Sequence, residues 1–186
     1  MSHVELDELV ARFREARRDA EADMGNPDQL RSHRELAEAC PAFTQNLLFL
    51  AWRLLKFEEP GRELEDRLSE IQRLLELAVL SSYRSAPAVV ELGYFLDTYR
   101  NAPHEAARLY EEAGAKALET VRDSWRGLIR YWNDERTRET LEKALKLGEL
   151  AERLFPDYTP LMLEVLTTKQ YATLDGLITP GTSSER

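Results

Sequence analysis

Cysteine occurs once, at Cys40, so no disulfide can close within the chain and no thiolate cage for a metal can be built. The lone thiol reads as a small buried apolar side chain. The three histidines, His3, His33 and His104, stand far apart. None has the Glu or His one helical turn away that lets metal ligands converge. No short stretch gathers the glycines of a phosphate-cradling loop, and no Gly-x-Ser-x-Gly elbow is present. The longest strictly apolar run, Leu47 to Trp52, falls far short of the roughly 20 residues needed to cross a bilayer. At the N-terminus a basic stretch followed by an apolar one is missing, so the expectation is no secretory signal and a cytoplasmic protein. Positive charge is also scarce: 25 Lys and Arg face 34 Asp and Glu, a formal net charge of −9. That balance repels a polyanion and argues against a nucleic-acid partner.

What is present is helical. Of 186 residues, 43% are apolar and 32% charged, a globular composition in which one domain is the default. Apolar residues recur at three and four rather than at two, so no sheet is expected. The first segment runs from about Ser2 to Met24, with Ser2 and Glu5 spaced as a capping box and Leu9 and Phe13 on one face. Asn26-Pro27 opens a short helix ending near Cys40. From Pro41 to about Glu58, Leu47, Leu50, Ala51 and Leu54 mark a helix covered on several sides. After Pro60-Gly61 a long helix runs to about Tyr83, with Leu64, Leu68, Ile71, Leu74 and Leu75 inward. Ser85-Ala86-Pro87 starts the next, carrying Val89, Leu92, Phe95, Leu96 and Tyr99 to about Asn101. Pro103 opens another, with Ala106, Leu109, Tyr110 and Ala113. The spacing of Thr120 and Asp123 predicts a break near Glu119-Thr120, although the chain can also run through Gly114 at a cost of about 1 kcal/mol. Val121, Trp125, Leu128, Ile129 and Trp132 then form a buried stripe. Asn133 is expected to cap a helix that runs to about Phe155, and a last one spans about Thr159 to Leu174.

Nine helices joined by short loops pack antiparallel to their neighbours. Val89-x-x-Leu92-Gly93-x-x-Leu96 followed by Ala106-x-x-x-Tyr110-x-x-Ala113 places small residues where two helices of a pair touch most closely. Leu47-x-x-Leu50-Ala51-x-x-Leu54 repeats the first half of that pattern, and Trp125-x-x-Leu128-Ile129-x-x-Trp132 with Ala144, Gly148, Ala151 and Pro156 repeats it in register except for the bulky Ile129. The chain thereby resembles a tetratricopeptide-repeat protein from roughly Thr44 to Leu174. The resemblance implies an all-α fold of antiparallel helix pairs stacked as a short right-handed superhelix; an irregular helical bundle is the alternative. The expected organisation is a single all-helical domain over residues 1–178, with an N-terminal helical pair at 1–40, repeat-like pairs at 41–157 and a capping helix at 158–176. Residues 179–186 have nothing to bury and are expected to be a disordered tail.

No catalytic, metal or cofactor constellation emerges, so the expectation is a non-enzyme without cofactor. In the resembled family, peptide ligands lie in a groove lined by the first helix of each pair. Carried onto this chain, the positions are Gln45, Leu48, Phe49 and Trp52, then Tyr94 and Asp97, then Arg126, Arg130 and Asn133. Arg122, Arg126 and Arg130, spaced i, i+4, i+8, place three guanidinium groups along one face, able to hold an acidic segment or a phosphate. The lysine and asparagine pattern that clamps a terminal carboxylate in some family members is not reproduced. Trp125, Trp132 and Trp52 are expected to be buried; an exposed Trp52 beside Phe49 would be an interface anchor. The leading function is therefore a protein-protein interaction module for a protein or peptide partner, with no nucleic acid and no membrane involved and the oligomeric state open. An acidic inhibitor or immunity-type protein and an all-helical enzyme stand as the alternatives.

Overall fold

The structure is a computed structural model describing residues 6–22 and 27–179. Among the described residues every regular element is a helix: α1 (Leu6–Ala22), α2 (Pro27–Ala39), α3 (Thr44–Lys56), α4 (Leu64–Ser81), α5 (Ala86–Arg100), α6 (Pro103–Glu135), α7 (Arg138–Leu154) and α8 (Thr159–Leu174). They fall into two compact units, Met1–Lys116 and Ala117–Arg186. Local chemistry sets most ends. Pro27 opens α2 and Pro103 opens α6, positions where a missing N–H costs nothing. Asn101 stops α5 in the left-handed region, φ 50°, one of the few non-glycine residues that tolerates it. The expected capping pair Ser2 and Glu5, the cap Asn26 and the tail 180–186 lie outside the described residues.

Two expectations about helix boundaries are corrected. The break near Glu119-Thr120 is absent: α6 runs unbroken from Pro103 to Glu135, leaving eight helices among the described residues rather than nine. A single interior glycine costs only about 1 kcal/mol, and the good helix formers around Gly114 outweigh it. Asn133 does not cap α7; Thr137 does. Its hydroxyl accepts from the Thr140 N–H while the Thr140 hydroxyl accepts from the Thr137 N–H, a reciprocal box that satisfies two orphan donors.

The first unit closes around Leu47, Leu50, Ala51 and Leu54 of α3, Ile71, Leu74 and Ala78 of α4, and Val89 and Phe95 of α5. A smaller cluster of Leu9, Phe13 and Leu36 joins α1 to α2. Gly93 is where α5 meets α6 most tightly: a Cβ there would stand 3.0 Å from Tyr110 Cε1 and 3.4 Å from Leu109 Cβ. Ala106 and Ala113 are buried on the facing side, as the repeat pattern requires. The second unit packs Ile129, Ala144, Ala151, Leu161 and Val165, with Trp125 and Trp132 half-buried around them. Leu128, expected inward, is exposed while Ile129 is fully buried; the buried stripe of this stretch runs through Ile129 and Asn133, one turn apart, and Leu128 lies at its outer edge. Leu64 is likewise exposed at the first turn of α4.

Polar groups also tie the first unit together. The Arg34 guanidinium on α2 donates to both oxygens of Glu59, at 2.8 and 2.6 Å, and to both oxygens of Glu70 on α4, at 2.9 Å each. Arg62 adds bonds to Glu59 and Glu70. The Arg34 hydrogen bonds, with Arg62 adding to them, hold the Glu59 carboxyl at about 2 against an ordinary 4.5. A carboxyl depressed in this way lends stability that is whole above its unfolded value and is lost as pH falls toward the folded one. Fully buried His33 acts in the same direction. Its Nδ1 donates to Asn46 Oδ1 at 2.7 Å, its Nε2 has no hydrogen-bond partner among the described residues, and burial lowers its pKa below the usual 6.5. Acidification therefore favours the unfolded chain first through His33, below pH 6.5, and then through Glu59 between 4.5 and about 2. Arg34→Met is expected to cost about 2 kcal/mol near neutrality. Thermal melts across pH should then show a shallower acid limb below 4.5 in the variant; parallel curves would refute the assignment.

Candidate functional site

The candidate residues divide between the two units. In the first, α3 turns Leu47, Leu50, Ala51 and Leu54 inward, which leaves Phe49 and Trp52 on the other side. Trp52 is 44% exposed. Its ring centroid lies 6.4 Å from that of Phe49, and the Lys56 ammonium sits 6.0 Å above it. Phe49 is only half available: its ring packs edge-on to Phe13 at 6.0 Å and against His33 at 4.7 Å. It supports α1 and α2 as much as it faces outward. Gln45 is exposed, whereas Leu48 leans on the core.

On α5, Tyr94 is 48% exposed and Asp97, three residues on, is exposed beside it. Two further tyrosines join them. Tyr99, expected inward, is 39% exposed, stacked on buried Phe95 at 5.7 Å and edge-on to Tyr94 at 6.4 Å. Tyr110, also expected inward, lays its ring across Gly93 and remains 38% exposed. Its hydroxyl holds its proton more firmly than an ordinary phenol, first through partial burial and then through the negative charge of Asp97 and Glu91, to which Tyr94 adds once it is itself ionised. Glu91 is exposed one turn before Tyr94. Sequence reasoning missed Glu91, Tyr99 and Tyr110; only the i, i+3 spacing of Glu91 and Tyr94 hinted at the first.

In the second unit the arginine stripe is shorter than its spacing implies. Arg122 is engaged already, pairing with Asp123 Oδ1 at 3.1 Å and lying 3.9 Å above the Tyr158 ring. Arg126 and Arg130 are exposed, and among the described residues neither forms an ion pair. Asn133 does not reach solvent. It is 4% exposed, its Nδ2 donates to the Glu164 carbonyl at 3.0 Å, and its Oδ1 accepts from the Thr168 hydroxyl at 2.8 Å. It is a strut between α6 and α8, because an amide with both ends satisfied by a neighbouring helix has no reason to face water. Asn133 therefore leaves the list of partner-facing residues.

Among the described residues no group of three or more His, Cys, Asp or Glu side chains is placed to hold a metal ion, and no helix is long and apolar enough to cross a membrane. What the surface offers chemically is aromatic rings, carboxylates and guanidinium groups on rigid helices.

Comparison with known proteins supports the helical-repeat fold. The Myxococcota tetratricopeptide repeat protein family matches residues 1–83. A Myxococcus xanthus protein described as "Uncharacterized 18.1 kDa protein in carS 3'region" is 34% identical over 128 residues, covering 69% of this chain and 74% of that protein.

Proposed function

This chain belongs to the Myxococcota tetratricopeptide repeat protein family, and from that premise we propose a non-catalytic, cytoplasmic interaction module that holds a protein or peptide segment against its exposed helix faces. The observation that carries the reading is the exposure of Trp52 and Tyr94 on α3 and α5 of a unit whose core is closed. Large aromatic side chains left in water on rigid elements are the side chains that most often anchor interfaces. The core is built from other side chains of the same two helices, among them the fully buried Leu47, Leu50 and Phe95. A helical face of this kind receives a segment by apolar anchors with polar groups at the rim. Arg126 and Arg130 of the second unit are offered to carboxylates or phosphates of a partner.

Partner capture from the native host, quantified by mass spectrometry with wild-type and Trp52→Ala/Tyr94→Ala baits, tests the proposal. At least one protein retained by the wild type is expected to fall about 30-fold or more in the double variant, with the melting temperature of the bait unchanged. Undiminished capture of every retained protein by that variant would end the reading. A parallel Arg126→Glu/Arg130→Glu bait reports on the arginine pair separately.

A further inference from the structure

The tyrosine cluster on α5 and α6 has a chemistry of its own. Tyr94, Tyr99 and Tyr110 present three partly exposed rings, and Glu91 and Asp97 stand among them. Among the described residues neither carboxylate has a cationic partner. They differ in this from Glu59 and Glu70, held by Arg34 and Arg62, and from Glu112, held by Arg84. The cation nearest in sequence, Arg100, lies one turn beyond Asp97 and turns away. Its Nη1 reaches Glu65 at 2.6 Å, its Nε reaches Gln72 at 3.0 Å, and its guanidinium rests against the Phe95 ring at 5.7 Å. The cluster thus combines π faces with uncompensated negative charge.

We propose that this face of the first unit receives an arginine side chain of a basic partner segment, the guanidinium stacked on the Tyr94 and Tyr110 rings and paired with Asp97 and Glu91. The inference rests on the interaction reading above and specifies the chemistry of the occupant. A planar guanidinium satisfies both features at once, since it lies flat on an aromatic face and its donors match a carboxylate fork. An ammonium satisfies the charge but stacks poorly. An apolar occupant would strip water from two carboxylates without pairing them, which costs more than the contact returns. An acidic segment meets like charge. Asp97 and Glu91 carry the negative charge near the Tyr110 ring; burial, the larger cause, and then these two carboxylates raise the Tyr110 hydroxyl above an ordinary phenol. Gly93 matters here because a side chain at that position would lift the Tyr110 ring off α5.

The test uses the full chain, isotopically labelled for amide NMR, and blocked peptides as probes. Gly-Arg-Gly-Arg is expected to give saturable shifts centred on Tyr94, Asp97 and Tyr110. The lysine counterpart should bind several-fold more weakly, and the glutamate counterpart should give none. Asp97→Asn and Tyr94→Ala should each weaken the arginine peptide by about tenfold. Tyr94→Phe, which keeps the ring, should bind as the wild type does, and Arg126→Glu should change nothing. Shifts spread evenly over the acidic surface, equal binding of arginine and lysine, or insensitivity to both Asp97→Asn and Tyr94→Ala would each overturn the proposal. Should Trp52→Ala/Tyr94→Ala abolish partner capture while the arginine peptide fails to bind, the interaction reading stands and this one falls.

Discussion

Replacing Phe95 by alanine is expected to lower the unfolding free energy by about 3–5 kcal/mol, the range for deleting a fully buried aromatic ring. Phe95 has no exposure and is among the largest fully buried side chains. It lies in the main core of the first unit with Leu50, Leu54, Leu75 and Val89, so the cavity left behind has walls that cannot all collapse. Two surface groups lean on the same ring: Tyr99 stacks on it, and the Arg100 guanidinium rests against it. The cost sits against a total of about 5–15 kcal/mol for a domain, so urea unfolding monitored by circular dichroism should show a large fall in midpoint. Phe95→Leu, which keeps most of the volume, should lose about 1.5 kcal/mol or less. A Phe95→Ala loss under about 1 kcal/mol would mean that the ring is not enclosed as described.

Gly148→Leu is the second large effect, in the second unit. A Cβ at Gly148 would stand 3.1 Å from Val165 Cγ1 and 3.5 Å from its Cγ2. Val165 is itself buried and β-branched, with little rotamer freedom to yield. Ala144, Gly148 and Ala151 form one buried face of α7 at i, i+4 and i+7, and α8 is seated against it. Leucine there must push α8 off that face, at an expected cost of about 3 kcal/mol. The contrast is Gly114→Ala on α6, where nothing lies within 4 Å of the added methyl. The same loss of backbone freedom there should stabilise by about 0.5–1 kcal/mol. Thermal melts of the two variants should therefore move in opposite directions. A Gly148→Leu protein as stable as the wild type would show that α7 and α8 do not meet at this point.

Much of the fold was legible because its signals are local. Pro27, Pro103 and Asn101 punctuate the helices by backbone chemistry confined to one or two residues, and Gly93 with Ala106 announces a close helix approach through its spacing. What escaped was decided at a distance. Thr120 and Asp123 have capping spacing, yet an i, i+3 polar pair is equally at home on the outside of a continuous helix, and only tertiary packing chooses. Asn133 reads as a cap from its neighbours, but its partners, Glu164 and Thr168, lie more than 30 residues away. The candidate surface follows the same division. Tyr94 and Asp97, carried over from the family's groove positions, are exposed because helix periodicity turns Phe95 and Leu96 inward, and the same periodicity leaves Trp52, expected in the core, outside Leu50 and Leu54. Tyr99 and Tyr110 were misjudged because an aromatic ring can cover a neighbour with one edge and meet water with the other. Arg122 kept its exposure in the sequence reading because nothing local revealed Tyr158 beneath it.

The three tryptophans are divided in a way that makes the protein report on itself. Trp52 stands in water in the first unit, whereas Trp125 and Trp132 are half-buried in the second. Emission from Trp52 should be red-shifted and readily quenched by iodide, and that of the other two bluer and shielded. A Trp52→Phe protein would then follow melting of the second unit alone, and its difference from the wild type would register any molecule that settles over α3.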